Sequence, residues 1–592
     1  MKFTGKIITI VSLFVLTVNL SYAQYNKGFW ETGFEKSGFT ETETYAETMR
    51  YFKTLAEYSP SAKLFSFGKS PQGRDLNCLV VASGREFTPE KARNSGKAII
   101  LIQNGIHSGE IEGKDASMIL LRELLVEQKN TDWLDNVILL VIPIFNVDGH
   151  ERRSKYNRIN QNGPAEMGWR VTAQNLNLNR DYTKADAPEM KAMLKLFSTW
   201  LPDFYIDTHT TDGADYQYTV NYDIVNASFV SPETRKWIKN EFEPFIHKKV
   251  EADGFLIGPY VGFIRGNPKN GIMKWVAGPR FSQGYAAVQN RPGLLIETHM
   301  LKPYKDRVFA TLSLLKAVIE LTARQSKMIR EMNIIADEFT KQHFVKQRNA
   351  YPLSYTIDTS KYTSFEFKGF KAVYDSGWIA GKPVIKFTHQ KENFVTKFYN
   401  RPLVKDSVFL PEYYLVPREW GNIIPILQLH GIKIDTMTRD SKLRVEKYKF
   451  RNVKFPDFPY EGRFSPEFEY DVITSEELIP KGTFVIGMNQ RNAGLIAHLL
   501  EPKSRDSFLK WGFFNIIFER KEYFEEYAME PIAEKMADQN PKLKEEFLNK
   551  LKTDEQFRNN PRQRLNFFYE RSPYYDKKHN VYPVMRVPFD AN

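Results

Sequence analysis

The chain has 592 residues, 42% of them hydrophobic and 26% charged, with 33 glycines, 31 prolines and a formal net charge of +12. Those proportions exclude a disordered, collagen-like or coiled-coil chain, and the length suits two or three domains. Lysine and arginine are scattered among the acids rather than gathered in one block, so the positive balance reads as a solvated surface and no nucleic-acid partner is expected.

At the start of the chain, Lys2 and Lys6 flank the beginning of an apolar run over residues 7–20, and Ser21-Tyr22-Ala23 offers small residues where a signal peptidase cuts. The run is shorter than the roughly 20 residues of a membrane span. Residues 1–23 therefore read as a cleaved signal peptide, leaving an exported protein, periplasmic or extracellular, with no stable membrane insertion. Losing the two lysines lowers the formal charge from +12 to +10. Cys78 is the single cysteine. It lies in the apolar run 76–81 and reads as a small buried hydrophobe, with no bridge to form.

Helical spacing of apolar residues follows at Tyr45, Met49, Phe52 and Leu55, then over residues 115–127, then at Met190, Met193, Leu194 and Phe197. Short continuous apolar runs alternate with these at residues 76–81, 98–102, 137–142, 204–206 and 294–296, the pattern of strands covered on both faces. The first half is therefore a layered α/β domain. A long periodic stretch over residues 308–339 closes it, and the boundary falls near residue 326, giving a first domain over 24–325 and an accessory domain over 326–592. The second half carries aromatic and β-branched runs such as 371–374 and 384–387, a helical pattern over 419–430 stopped by Gly431, and a charged, largely helical stretch over 518–565. It reads as β-rich, α+β, with a helical tail.

Polar residues that directly follow apolar strands are the first place to look for chemistry in an open α/β sheet. Residues 98–102 run into Gln103-Asn104-Gly105-Ile106-His107-Ser108-Gly109-Glu110, with a histidine and a carboxylate three positions apart. Phe204-Tyr205-Ile206 runs into Asp207-Thr208-His209. Gly293-Leu294-Leu295-Ile296 runs into Glu297-Thr298-His299, whose alternation places Glu297 and His299 on one side. Two imidazoles and a carboxylate make a complete catalytic zinc set, and a further carboxylate beside it is a natural general base. Asp148, Asp207, Asp212 and Glu189 lie near in sequence, where turn or supporting roles explain them equally well. His343, His389, His430, His498 and His579 belong to no such set and read as structural or surface residues.

With these motifs in order, residues 41–325 resemble the zinc metallocarboxypeptidase family, the carboxypeptidase A-like peptidases. Gly68-Lys69-Ser70-Pro71-Gln72-Gly73-Arg74, the His107–Glu110 element, Asn146-Val147-Asp148-Gly149, Trp169-Arg170 and residues 175–182 all correspond to family elements. The resemblance implies a mixed, mostly parallel central sheet flanked by helices. It implies one Zn²⁺ ion held by His107, Glu110 and His209, Glu297 as the base that takes a proton from the attacking water, and Arg170 as the stabiliser of the oxyanion. It also implies that Asn179 and Arg180 hold a substrate carboxylate, which favours peptides with a free C-terminus. Tyr285 is the nearest candidate for the family's substrate-gating tyrosine. One departure is Asn177, a neutral amide where the family has a carboxylate that orients a ligating histidine.

The function expected is an exported zinc carboxypeptidase that hydrolyses the C-terminal peptide bond. Two alternatives are a zinc amidase of the same site architecture acting on N-acyl amino acids or cell-wall peptides, and a non-catalytic protein that binds peptide or glycan. The sequence does not indicate an oligomeric state.

Overall fold

The central sheet is built from runs that are apolar on both faces. A computed structural model describes residues 27–589; the signal-peptide reading of residues 1–23 lies outside the described residues. The sheet's eight strands are β1 (Ala62–Lys69), β2 (Asp75–Val81), β3 (Ala98–Gln103), β4 (Val137–Ile142), β5 (Phe204–Thr211), β6 (Val220–Ile224), β7 (Ile257–Pro259) and β8 (Gly293–His299). Their spatial order is β1-β2-β4-β3-β5-β8-β6-β7. The four central strands β4, β3, β5 and β8 run parallel, while β1, β2 and β6 join antiparallel.

Alternation along each strand sends neighbouring side chains to two different cores. Ile100, Ile102, Leu139 and Val141 meet the helices Glu112–Leu125 and Tyr304–Arg324 on one face. Ile99, Leu101, Ile138 and Leu140 meet the helix Pro188–Trp200 on the other. The helix Tyr45–Tyr58 starts on a capping box, Thr44 with Glu47, and buries Thr48, Phe52 and Leu55 at the expected helical spacing. Cys78 is fully buried, and burial pushes its thiol up, out of reach of ionisation near neutral pH.

The second core does not stop at the proposed domain boundary. Leu410, Tyr414, Val416, Leu427, Ile486 and Leu499 of the second half share one apolar cluster with the sheet residues Ile99 and Leu101. The periodic stretch expected over 308–339 is two helices, Tyr304–Arg324 and Ser326–Phe339, separated at Gln325. The second of these reaches back: Asn333 Nδ2 donates to the carbonyl of Asp203 at 3.0 Å, and Asp337 pairs with Arg291 at 3.0 Å. Strand pairing crosses the boundary too, since Phe398 and Tyr399 align with Ile272 and Met273.

Within the second half, a long hairpin pairs Thr363–Asp375 with Val384–Tyr399, and a second pairs Ser441–Lys454 with Glu467–Ile479. The helix expected over 419–430 is shorter. A 3₁₀ segment, Arg418–Ile423, precedes the helix Ile424–Leu429, because Pro425 lacks the N–H that a continuous helix needs and so sits in a first turn. The tail helices Glu526–Gln539, Pro541–Thr553 and Pro561–Tyr569 form a small core of their own; residues 519–525 before them are not helical.

Candidate active site

Parallel strands β3, β5 and β8 lie side by side, so the residues at their carboxyl ends converge on one edge. His209 and Glu297 are register partners on β5 and β8. After β3, Gly105 adopts φ +66°, a left-handed turn suited to glycine, and delivers His107 to the same edge. The Glu110 N–H closes the next turn on the His107 carbonyl at 2.9 Å. Gly109 is close-packed as well: a Cβ there would come within 2.9 Å of the Gly168 carbonyl.

The two imidazoles are oriented alike. Nε2 of His107 lies 3.1 Å from Oδ1 of Asn177, and Nε2 of His209 lies 2.6 Å from Oδ2 of Asp207. Asn177 Oδ1 also accepts the Asn179 N–H at 3.1 Å, which fixes that amide's orientation. Neither oxygen can donate, so each imidazole carries a proton on Nε2 and turns its Nδ1 inward. Both Nδ1 atoms point at Glu110 Oε2, at 3.1 Å from His107 and 3.0 Å from His209, and the three donor atoms lie within 4.8 Å of one another. Burial lowers the His107 pKa to about 4, which keeps that ring a neutral ligand. Burial opposes the charged form of His209, but Asp207, with Glu110 and Glu297, outweighs it and holds its pKa well above the ordinary value, so zinc would displace a proton from its Nδ1 on binding.

Glu110 is held on its other side by two arginines, Arg158 at 2.9 Å and Arg170 at 3.0 Å from Oε1. Burial drives the Glu297 carboxyl up to about 8; His209 opposes that rise, and Glu110 and Asp207 reinforce it. Two nitrogens and a carboxylate oxygen, buried and aimed at one point with their outer atoms already engaged, are a donor set that fits zinc.

A cleft of about 720 Å³ opens on this set and is lined also by Arg170, Asn179, Arg180 and Glu297. Arg170 is half-exposed there. Asn179 Oδ1 accepts the Ser282 N–H at 3.1 Å, and its Nδ2 lies 3.5 Å from His209 Nε2. The guanidinium of Arg180 rests on the ring of Phe281, 4.5 Å from its centroid. Seven of the eight residues singled out in the sequence thus come together, and Tyr285 does not. It sits on the helix Ser282–Val288, turned into the core between Tyr182 and Phe197, with its hydroxyl 3.0 Å from His430 Nδ1. Its burial there places it outside the cleft. The tyrosine that does line the cleft is Tyr260, whose hydroxyl is pushed up in pKa chiefly by the nearby Glu297.

His299, read beside Glu297, bonds instead to the Ala214 carbonyl at 3.0 Å and packs on Tyr216. Asp207, left undecided from sequence, orients His209; the signal was available, because period two puts residues 207 and 209 on one strand side. Arg158 and Tyr260 come from irregular segments that carry no such signal. The Gly68–Arg74 and Asn146–Gly149 motifs prove to be one bonded unit: Asp148 accepts from Ser70 at 2.7 Å, the Gln72 N–H at 3.0 Å and Arg74 at 2.7 Å. It braces the site, since Ser108 donates to the Asn146 carbonyl at 2.7 Å.

A buried imidazole–carboxylate–imidazole set beside a second carboxylate, at the carboxyl edge of an α/β sheet, defines a metallohydrolase centre. Residues 48–251 match the family described as zinc carboxypeptidase. The chain is 24% identical over 509 residues to "Carboxypeptidase 2" of Trichophyton rubrum, covering 82% of this chain and 87% of the relative. It is 30% identical over 148 residues to "Carboxypeptidase Z" of Mus musculus, covering 24% of this chain and 21% of that one. Among solved structures, carboxypeptidase A from Helicoverpa armigera superposes with a TM-score of 0.36 at 16% identity, over 48% of this chain and 74% of that chain. The region that carries the site is thus similar to the zinc metallocarboxypeptidases, and its His107–Glu110–His209 group is placed to hold the metal of a zinc-dependent metallopeptidase.

Proposed function

We propose that the protein is an exported carboxypeptidase that removes single residues from peptides with a free C-terminal carboxylate. The observation that carries this reading is the presence of Arg180 and Asn179 in the same cleft as the His107–Glu110–His209 set and Glu297. A planar guanidinium can donate two parallel hydrogen bonds to one carboxylate, so a chain end is favoured over an internal bond. Export rests on the leader-like residues 1–23; among the described residues no helix is long and apolar enough to cross a membrane.

His107, Glu110 and His209 would hold zinc, which would supply a Lewis acid for the scissile carbonyl and for the attacking water. The positive charge of a bound zinc would draw the Glu297 carboxyl, raised to about 8 by burial, back to its carboxylate; Glu297 would then take a proton from the attacking water and pass it to the leaving amine nitrogen, so amide and water become carboxylate and amine. Arg170 faces the cleft with a fixed positive charge where the carbonyl oxygen becomes negative, and Glu110 holds that guanidinium in place. Tyr260, rather than Tyr285, is the tyrosine positioned to touch substrate. Residues 24–325 carry this chemistry, and 326–592 act as an accessory domain. Mass spectrometry of paired peptides with free and amidated C-termini tests the reading. Loss of single residues from the free ends alone is expected; cleavage at internal bonds, or equal cleavage of the amides, would overturn it.

A further inference from the structure

The accessory half reaches the proposed carboxylate site through a turn that contacts Arg180 and Asn177. Between the strands Ser441–Lys454 and Glu467–Ile479, the chain makes a tight two-residue turn at Glu461 and Gly462. Both central residues lie in the left-handed region, φ 50° and 72°, and Tyr460 and Arg463 exchange backbone hydrogen bonds at 2.9 and 3.0 Å. That is the geometry of a primed hairpin turn, whose twist suits the flanking chain and whose second position favours glycine.

Both flanks of the turn are anchored. Tyr460 stacks on Trp511, with centroids 6.2 Å apart and planes 14° from parallel, and the Trp511 indole N–H donates to Thr183 Oγ1 at 3.0 Å. Arg463 pairs with Asp186 and lies over the ring of Phe513, 4.4 Å from its centroid. From this footing the turn reaches the strand-end segment in two places. Tyr460 Oη accepts the Nε–H of Arg180 at 3.1 Å, and the Glu461 carboxylate accepts the Asn177 N–H at 3.4 Å.

We propose that Tyr460 is a positioning residue for substrate recognition, acting through Arg180; this rests on Arg180 being the carboxylate-binding group. Three contacts hold the guanidinium: Nε on Tyr460, Nη1 on the Asn179 carbonyl at 2.6 Å, and the ring face of Phe281. Nη2 has no protein partner among the described residues and is left for a ligand. An arginine side chain has many rotamers to lose on binding, and fixing it beforehand lowers that cost for the substrate. The bond to Tyr460 is solvent-exposed, so its effect is modest. The accessory half thereby contributes to specificity without touching the reacting atoms.

Tyr460→Phe keeps the stack on Trp511 and removes only the acceptor. With an N-acyl dipeptide bearing a free carboxyl, KM should rise about 3- to 5-fold while kcat stays within twofold and zinc content is unchanged. Arg180→Ala should raise KM at least tenfold. In the Arg180→Ala background, Tyr460→Phe should have no further effect, because its partner is gone. A wild-type KM for Tyr460→Phe overturns the inference while leaving the carboxylate reading intact. The same proportional loss in both backgrounds also overturns it, since the residue would then act through the fold. An unchanged KM in Arg180→Ala overturns both.

Discussion

The metal cradle and the substrate rim of this one cleft are built in opposite ways. His107, Glu110 and His209 are all at most 3% exposed and stand on adjacent parallel strands or the turn that follows one. Strand register sets their spacing, and register follows from buried apolar runs that cannot slip without exposing a whole face. Arg180, at the rim, takes its position partly from Tyr460, which is 49% exposed and lies on the other half of the chain. Rigid burial suits ligands that must stay fixed to within tenths of an ångström, whereas a rim contact can vary without disturbing the chemistry.

This contrast predicts a hierarchy of effects. Glu297→Gln, within the buried cradle, should lower kcat by about 10²- to 10⁴-fold with zinc still bound, measured by steady-state kinetics alongside metal analysis. Retention of wild-type turnover would show that the base lies elsewhere. The outer partners of the imidazoles come next. Asp207→Asn should weaken zinc about 10- to 100-fold in a chelator competition, and Asn177→Asp should strengthen it by about tenfold, because a carboxylate makes the imidazole it orients more basic. Equal affinities across the three proteins would mean that the outer partners do not tune the site. The rim, probed by Tyr460→Phe, should answer only in KM.

The smallest effect should be catalytically silent. Glu189 is fully buried, neither carboxylate oxygen has a hydrogen-bond partner on another of the described residues, and burial raises its pKa from 4.5 to about 7. As pH climbs from about 4.5 to about 7, the unfolded chain releases this proton while the folded chain keeps it, so stability falls across that window. Glu189→Gln should remove the deficit, stabilising the protein by on the order of 2 kcal/mol at pH 8 and by nothing below pH 4, with KM unchanged. Urea unfolding at the two pH values reads the difference. An equal shift at both would place its origin in packing rather than in the proton.

The same contrast explains what the sequence made legible. Strands β3, β4, β5 and β8 announce themselves as apolar runs because both faces are covered, and the residues that follow them are then the candidates. His107, Glu110, His209 and Glu297 could be found that way. Tyr285 was misplaced because linear spacing says nothing of which side of a short helix a ring takes, and this one turns towards His430. Arg158 and Tyr260 enter the cleft from loops with no periodicity. The contact of Tyr460 with Arg180 spans the two halves, and no local pattern encodes it. The hairpin strands Thr363–Asp375 and Val384–Tyr399 extend well beyond the apolar runs at 371–374 and 384–387, since much of their surface is exposed and tolerates polar residues.

Zinc content per chain, measured on wild-type protein and on His209→Ala after equal dialysis, tests the convergence of distant side chains most directly. The geometry predicts close to one zinc ion in the wild type and a large loss in the variant, with the fold retained by circular dichroism. Full zinc occupancy in a folded His209→Ala protein would contradict it.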